Sequence, residues 1–329
     1  MSLPASVTVT EVVLRDGLQD EPVTVATAGK LRLLDGLLEA GVRSVELGAF
    51  VRPDRVPQMA DTEHMARAVL AADAAQTADT AQTARAAKSR AAEGVTFSAL
   101  VLNRAGAERA IAAGLPEVRL VVSASEGHSR ANSGRSAGDA LAGLERAAGV
   151  LAAAASPPRI TAGIATAFCC PYDGVTPPER IASIAVRLAA AGVRHISLAD
   201  TLGAATPLQV RAGIATVRDA VPDCRIGLHL HDTHGMALAC AWEALGLGVD
   251  WFDAALGGIG GCPFAPGAAG NVATEDLLGL LHGVGVDTGI DAGRLLDLIP
   301  LLRELVGHDL KSRQWLARTA RDHVSQGTP

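Results

Sequence analysis

Short apolar runs, rich in β-branched residues, alternate along the chain with longer segments in which apolar positions recur every three or four residues. Runs of the first kind predict strands, and segments of the second kind predict amphipathic helices. Strands are predicted over residues 7–14, 44–48, 95–101, 118–124, 159–167, 195–200, 225–231 and 251–256. Helices are predicted over residues 30–40, 105–113, 140–155, 177–191, 207–220, 236–247, 274–282 and 294–306. Strands that alternate with helices indicate a parallel sheet.

The number of strands distinguishes between two α/β architectures. Eight parallel strands favour a closed (β/α)8 TIM barrel over an open doubly wound sheet. The chain has 329 residues, of which 49% are hydrophobic, and such barrels commonly use about 250 residues as one domain. We therefore predict a single domain, with the barrel over residues 7–276 and extra C-terminal helices over residues 277–320.

Composition and charge exclude several classes of protein. The net charge is -6 and the basic residues form no cluster, so a nucleic-acid partner is not expected. No uncharged run of about 18 apolar residues is present, which predicts no membrane span. Residues 1–6 lack the pattern of a signal peptide, and five cysteines, an odd number, do not predict a disulfide framework. These features predict a cytoplasmic protein.

One Ala-rich segment, near residues 71–90, departs from the alternating pattern. Residues 75–80 are nearly repeated by residues 81–86. The segment has no apolar stripe, so we expect a solvated helical extension or a loop that carries no chemistry.

Residues able to carry chemistry lie where the predicted strands end. In TIM barrels the active site is built at the C-terminal ends of the strands. The residues in question are Arg15 and Asp16 after the first strand, Glu46 on the second, Asp200 on the sixth, His229 and His231 on the seventh, and Cys262 and Asn271 after the eighth. His229 and His231 are one residue apart and therefore point to the same side of their strand. A barrel would gather all of these side chains around one opening.

Four of these residues, Asp16, His229, His231 and Asn271, form a mixed oxygen and nitrogen set. Such a set, with positions left open for water, suits Mg²⁺ or Mn²⁺, whereas Zn²⁺ usually takes a closed tetrahedral set or a three-ligand catalytic one. Each member also has a structural interpretation. The histidines can hydrogen-bond at a strand end, Asp16 can cap a helix or pair with an arginine, and Asn271 can cap the helix that follows it.

The other four residues are candidates for acid–base and electrostatic roles. Arg15 can place a permanent cation near a developing oxyanion, or can form a salt bridge at the barrel rim. Glu46 and Asp200 can act as general acid or base, or can orient Arg15 and the histidines. Cys262 lies in the glycine-rich segment 257–271, which predicts a mobile lid that brings the thiol to the substrate; a flexible connection and a phosphate cradle are the alternatives.

Seven segments resemble 3-hydroxy-3-methylglutaryl-CoA (HMG-CoA) lyase, of the metal-dependent aldol and Claisen enzymes built on TIM barrels. They are residues 11–19, 44–46, 170–172, 197–203, 229–233, 257–263 and 270–276. The glycine–cysteine loop is specific to this lyase, whereas the Arg-Asp-Gly and His-x-His pieces occur throughout the superfamily. The resemblance covers residues 7–306.

The resemblance implies cleavage of (S)-HMG-CoA to acetyl-CoA and acetoacetate by a homodimer that binds an acyl-CoA substrate. It implies that Mg²⁺ or Mn²⁺ is held by Asp16, His229, His231 and Asn271. It also implies that the catalytic groups are Arg15, Glu46, Asp200, His229 and Cys262. His229 and Asp200 are both candidates for the general base.

Several positions differ from the pattern of that lyase. His234 stands where an aromatic hydroxyl residue is usual, residues 47–49 replace a hydroxyl-rich segment, Leu14 replaces a proline, and Cys169 replaces a glycine. The first two differences make a related 3-hydroxy-3-alkylglutaryl-CoA an alternative substrate. Two further hypotheses are a condensing synthase that joins acetyl-CoA to a 2-oxo acid, and a barrel that binds acyl-CoA without turnover.

Overall fold

The computed structural model describes residues 3–70, 94–261, 270–310 and 312–325. Within them, eight parallel strands form a closed barrel in which sequence neighbours pair and the last strand pairs with the first. The strands are β1 Thr8–Glu11, β2 Ser44–Ala49, β3 Thr96–Val101, β4 Glu117–Ser123, β5 Arg159–Ala165, β6 His195–Asp200, β7 Arg225–Leu230 and β8 Trp251–Ala254. The predicted (β/α)8 TIM barrel is confirmed.

Helices surround the barrel, and most of them pack an apolar face onto the outside of the sheet. They are α1 Thr27–Glu39, α2 Thr62–Leu70, α3 Arg104–Ala112, α4 Glu126–Ser133, α5 Ala137–Ala152, α6 Pro178–Ala190, α7 Pro207–Ala220, α8 Ala237–Gly246, α9 Thr274–Gly283, α10 Ala292–Leu296, α11 Ile299–Val306 and α12 Arg313–Ser325. A short antiparallel hairpin joins Cys169–Cys170 to Gly174–Val175. The Ala-rich segment near residues 71–90 lies outside the described residues.

The first predicted strand is too long. It ends at Glu11, and Val13–Gly17 forms a single π-helical turn instead of continued strand. The Glu11 side chain accepts a hydrogen bond from the backbone N–H of Val13 at 2.8 Å. That N–H is thereby withdrawn from the sheet, so the β-branched run that predicts strand through Leu14 turns early.

Two differences concern the helices. The polar helix α4 has no apolar stripe in the sequence and is not among the predicted helices; its cap is Ser125, whose hydroxyl accepts from the N–H of His128 at 3.1 Å. The helix predicted over 294–306 is divided into α10 and α11. Pro300 lies in the first turn of α11, where a missing N–H is tolerated, but it cannot extend a preceding helix.

Polar side chains fill much of the barrel interior. At the end of the barrel where the strands begin, Trp251 Nε1 donates to Thr10 Oγ1 at 3.0 Å. The Arg119 guanidinium lies over the Trp251 ring, with its Cζ 5.2 Å from the ring centroid. Asp253 of β8 is in register with Thr10 of β1 and with His229 of β7, so these side chains share one face of the sheet. The barrel interior therefore has the Trp251 ring at the end where the strands begin and the candidate site at the end where they finish.

Among the described residues, no helix has the length and apolar character that crossing a bilayer requires.

Candidate active site

A single buried carboxylate, Glu11, holds together three segments that carry the candidate site. Besides Val13 N–H, it accepts the N–H of Leu256 at 3.0 Å and the hydroxyl of Thr274 at 2.7 Å. These partners lie on the turn after β1, the turn after β8 and the first residue of α9. Burial, only partly opposed by these hydrogen bonds, raises the pKa of Glu11 to about 7. Glu11 is not among the residues singled out from the sequence, although it lies in a segment that resembles the lyase.

Asp16, His229 and His231 converge on one point at the C-terminal end of the barrel. Their ligand atoms all lie within 4.8 Å of one another. Asp16 Oδ2 is 3.6 Å from His229 Nε2 and 3.5 Å from His231 Nε2, and the two Nε2 atoms are 3.2 Å apart. One carboxylate oxygen and two imidazole nitrogens directed at a common position fit a divalent cation.

Asn271, the fourth residue of the predicted ligand set, lies in the loop after β8 and contacts Asp16. Its Nδ2 donates to Asp16 Oδ2 at 2.9 Å and to the carbonyl of Ile259 at 3.0 Å. Its Oδ1 is buried and has no hydrogen-bond partner among the described residues. Coordination of a hard divalent ion by Oδ1 would give this amide oxygen a partner and would give the ion an oxygen ligand. The residues present therefore fit Mg²⁺ or Mn²⁺.

Two glycines allow close backbone packing in the loop after β8, Gly260 against Asp16 and Gly270 against the carbonyl of Gly258. Gly260 has φ +97°, and a Cβ at this position would lie 2.6 Å from the backbone oxygen of Asp16 and 2.7 Å from Asn271 Nδ2. A Cβ on Gly270 would lie 1.9 Å from the carbonyl oxygen of Gly258. Glycine is thus explained at Gly260 by close approach of the backbone to the site, and at Gly270 by close packing within the loop.

Arg15, on the π-helical turn, lies between the carboxylates of Asp16 and Glu46. Its Nε donates to Glu46 Oε2 at 2.9 Å, its Nη2 lies 2.9 Å from the same oxygen, and its Nη1 donates to Asp16 Oδ1. Arg15 is 7% exposed and Glu46 is fully buried, so this ion pair is held rigidly at the opening. The second oxygen of Glu46 is buried with no hydrogen-bond partner in the described part of the chain.

A second buried ion pair, which is not predicted from the sequence, lies beneath the candidate metal ligands. Arg119 of β4 donates through both Nη atoms to Asp253 of β8, and the Nη2···Oδ1 distance is 3.0 Å. Asp253 Oδ2 also lies 3.3 Å from His229 Nδ1. The signal for Asp253 is an ionisable residue inside an otherwise apolar strand, Trp251–Ala254.

The charges around the ligands shift two pKa values in opposite directions. Burial disfavours ionisation of Asp16, but Arg15 and the hydrogen bonds from the two histidines hold its pKa well below the ordinary range. Burial disfavours protonation of His229, but the hydrogen bonds to Asp16 and Asp253 raise its pKa to about 9. The site therefore favours positive charge at the position where the ligand atoms converge.

Asp200 ends β6 and is 2% exposed. Its carboxylate oxygens accept hydrogen bonds from the backbone N–H groups of Ala204 at 3.2 Å and Ala205 at 2.9 Å. Burial raises the pKa of Asp200, against these hydrogen bonds and the attraction of His231. The structure thus places Asp200 close enough to His231 for the two to interact electrostatically, and burial gives Asp200 a raised affinity for a proton.

Cys262 falls outside the described residues, and its predicted role in a lid stays a prediction. The two flanking positions, Gly261 and Gly270, are described. Of the positions that differ from the lyase pattern, His234 is exposed and Ala49 is fully buried. Gly48 faces α2, because a Cβ there would lie 2.5 Å from Thr62 Oγ1. The altered segment after Glu46 therefore packs against α2.

Comparison with known proteins identifies the family. The family model described as HMGL-like matches residues 6–302. The chain belongs to the HMGL-like family. An (R)-citramalyl-CoA lyase from Chloroflexus aurantiacus is 42% identical over 307 residues, which cover 93% of this chain and 92% of that protein. A 3-hydroxy-3-isohexenylglutaryl-CoA/hydroxymethylglutaryl-CoA lyase from Pseudomonas aeruginosa is 38% identical and covers 95% of this chain and 97% of its own.

Solved structures of the family have the same fold. An HMG-CoA lyase from Acinetobacter baumannii, in complex with coenzyme A and 3-methylmalate, superposes with a TM-score of 0.82 at 34% identity and covers 95% of each chain. Family membership confirms the predicted resemblance to HMG-CoA lyase and the prediction of a carbon–carbon lyase. The named relatives act on different acyl groups, so membership alone leaves the substrate to be derived.

Proposed function

We propose that this protein cleaves a 3-hydroxy-3-methylacyl-CoA to acetyl-CoA and a keto acid, with Mg²⁺ or Mn²⁺ as cofactor. The first candidate substrate is (S)-HMG-CoA, which would yield acetoacetate. The observation that carries the proposal is the convergence of Asp16, His229 and His231 beside the Arg15–Glu46 ion pair. Together these groups supply ligands for a divalent ion and a fixed cation at one opening, which suits a metal-assisted aldol-type cleavage.

The reaction is a proton transfer coupled to the breaking of one carbon–carbon bond. A divalent ion held by Asp16, His229 and His231 would supply Lewis acidity that lowers the pKa of the tertiary hydroxyl. A base removes the hydroxyl proton, the bond between C2 and C3 breaks, and its electron pair becomes a thioester enolate. Arg15, held by Glu46, is positioned to stabilise negative charge on the enolate oxygen.

Asp200 is the better candidate for the base. His229 directs Nδ1 to Asp253 and Nε2 to the position shared with Asp16 and His231, so both of its ring nitrogens are engaged. Each oxygen of Asp200 accepts one backbone hydrogen bond from the turn after β6 and has a further lone pair. Its raised pKa also increases its strength as a base.

Cys262 is proposed as the proton donor to the enolate carbon. Protonation of that carbon gives the methyl group of acetyl-CoA, and a thiol is a suitable acid near neutral pH. The glycine-rich segment 257–271 would bring the thiol to the opening and exclude water on closure.

The second candidate substrate is (R)-citramalyl-CoA, on which the Chloroflexus relative acts. Its carboxylate is attached directly to the carbinol carbon, so the acyl group is one methylene shorter and the keto product is pyruvate. The same bond, between C2 and C3, would break. The altered segment 47–49 supports a substrate different from HMG-CoA. The name of the Pseudomonas relative likewise supports a 3-hydroxy-3-alkylglutaryl-CoA as a further candidate.

The test compares turnover of the candidate substrates by wild type and two cysteine variants. With Mg²⁺ or Mn²⁺ present, acetoacetate, pyruvate and acetyl-CoA are measured separately. Cys262→Ala should lower kcat about 10²- to 10⁴-fold, the usual contribution of a positioned general acid. Cys224 lies just before β7, at the opposite end of the barrel, so Cys224→Ala should retain full activity.

The relative kcat/KM values for HMG-CoA and citramalyl-CoA assign the substrate. A folded, metal-loaded wild type that cleaves none of the candidates would rule out the proposal. Condensation of acetyl-CoA with a 2-oxo acid would then be assayed, because the same metal and arginine would serve a synthase.

A further inference from the structure

One residue beneath the proposed metal site contacts a metal ligand without facing the opening. Asp253 is 1% exposed and lies in register with His229 on the neighbouring strand. Its Oδ2 is 3.3 Å from His229 Nδ1, the nitrogen that faces away from the other ligands. The Nε2 atom of the same ring is the one directed at Asp16 and His231.

We propose that Asp253 is the positioning residue of the metal site, which fixes the orientation and the tautomer of His229, and that Arg119 holds Asp253 in place. A hydrogen bond from Nδ1–H to the Asp253 carboxylate leaves the Nε2 lone pair available for a cation. The consequence for turnover rests on the proposed function. The consequence for metal binding does not.

The geometry of Arg119 supports this role. Its guanidinium donates to both oxygens of Asp253, and Arg119 itself is only 2% exposed. A bidentate contact of this kind fixes both the position and the plane of the carboxylate. The ring of Trp251 lies against the guanidinium on the side away from the opening. This contact therefore holds Oδ2 of Asp253 toward His229.

The two histidines differ in this respect. His231 Nδ1 is buried with no hydrogen-bond partner among the residues that the structure describes. His229 thus has a carboxylate behind its ring, and His231 does not. The alternative is that Arg119 and Asp253 form only a structural ion pair of the barrel interior. In that case, loss of the contact between Asp253 and His229 would not change metal binding.

The experiment measures the affinity of the full-length, substrate-free protein for Mn²⁺ by calorimetry. Asp253→Asn should raise the Kd for Mn²⁺ about 10- to 100-fold, as is usual when the hydrogen-bond partner of a ligating histidine is removed. The matched control is Asp250→Asn, which removes the partner of Arg225 just before β8, at the far end of the barrel. That control should change the Kd less than about twofold.

A spectroscopic readout separates positioning from general loss of packing. With ¹⁵N-labelled histidine and saturating Mg²⁺, wild type should show an Nδ1–H proton of His229 that is protected from exchange with water. Asp253→Asn should lose that protection or show a mixture of tautomers, with the circular dichroism spectrum of the wild type. A purely structural ion pair would leave the imidazole signals of folded protein unchanged.

Arg119→Lys is the second variant, because Asp253→Asn leaves a buried arginine without its partner. Lysine keeps the positive charge but cannot make the bidentate contact, so an intermediate rise in the Mn²⁺ Kd is expected. If Asp253→Asn does not fold, this variant decides the question. Wild-type Mn²⁺ affinity in a folded Asp253→Asn, or in Arg119→Lys when that is the only folded variant, would overturn the proposal.

The result can be distinguished from a failure of the proposed function. A wild type without lyase activity, in which Asp253→Asn still weakens Mn²⁺ binding, would reject the reaction and retain the positioning role. A wild type with lyase activity, together with unchanged Mn²⁺ affinity in the folded variants, would retain the proposed reaction and reject the positioning role of Asp253.

Discussion

Two buried glutamates hold the loops around the site and make the stability of the folded protein dependent on pH. Glu11 joins the turn after β1 to the segments after β8, and Glu275 accepts the N–H of Gly257 at 3.1 Å. Burial raises the pKa of each carboxyl to about 7, from an ordinary value of 4.5. Between these values the folded protein binds protons more tightly than the unfolded chain, so stability falls as the pH rises.

The contribution of Glu11 can be isolated with Glu11→Gln. Glutamine keeps an oxygen that accepts the backbone N–H groups and an amide that can donate to Thr274. Wild type should lose up to roughly 3 kcal/mol of unfolding free energy relative to this variant between pH 4.5 and pH 8, because one pKa unit corresponds to about 1.4 kcal/mol. Urea unfolding of both proteins across this range measures the difference.

Glu304→Gln provides the control for this pH dependence, since Glu304 is exposed on α11. Its unfolding free energy should follow that of the wild type at every pH. A wild type that gains stability relative to Glu11→Gln as the pH rises would contradict the raised pKa of Glu11.

At the scale of elements, the loop after β8 approaches Asp16 through a glycine that combines positive φ with close contact. Gly260→Ala would introduce both the strain of a left-handed backbone and a Cβ against Asp16 and Asn271. Gly248 provides a matched comparison, because it has φ +78° but a Cβ added there would have no atom of the described residues within 4 Å. The two substitutions share the backbone strain and differ in crowding of the site.

Both variants should lose about 1–2 kcal/mol of unfolding free energy from the left-handed conformation. Only Gly260→Ala should also weaken Mn²⁺ binding, because the added methyl group displaces Asp16 or Asn271. Calorimetric titration with Mn²⁺ and urea unfolding, applied to both variants, measure the two effects. Equal Mn²⁺ affinities in the two variants would show that the close approach at Gly260 has no part in the site.

At the scale of the whole molecule, the barrel was predictable because each of its units carries a local signal. Apolar runs such as residues 118–124 and 195–200 lie close to the observed strands β4 and β6. The position of the candidate site followed from the rule that chemistry lies at the C-terminal strand ends. Asp16, His229 and His231 obey it, although more than 200 residues separate Asp16 from the histidines.

Features that depend on tertiary contacts were not predictable in the same way. The pairing of Arg119 with Asp253 spans 134 residues and crosses the barrel interior. Each ionisable residue is visible in its own strand, but neither strand indicates that the two residues pair. The π-helical turn that carries Arg15 and Asp16 depends on the Glu11 carboxylate, which removes a backbone N–H from the sheet. Local patterns reveal which face of a strand is apolar, but they do not reveal which ionisable groups meet inside a closed barrel.

Metal binding should stabilise the whole barrel, because the predicted ligands come from both ends of the chain. Asp16 follows β1, His229 and His231 belong to the end of β7, and Asn271 precedes α9. A cation held by all of them would bind the folded protein and not the unfolded chain. Mn²⁺ at 100 times its Kd should therefore raise the unfolding free energy by about 2.7 kcal/mol, and EDTA should reverse the effect.

Asp16→Asn tests whether this stabilisation arises at the proposed site. The variant removes one ligand charge, so added Mn²⁺ should no longer raise the midpoint of thermal unfolding. Asp54→Asn, which alters an exposed pair with Arg52, should respond to Mn²⁺ as the wild type does. Stabilisation of Asp16→Asn equal to that of the wild type would place the binding of Mn²⁺ elsewhere on the molecule, and with it the origin of any metal-dependent activity.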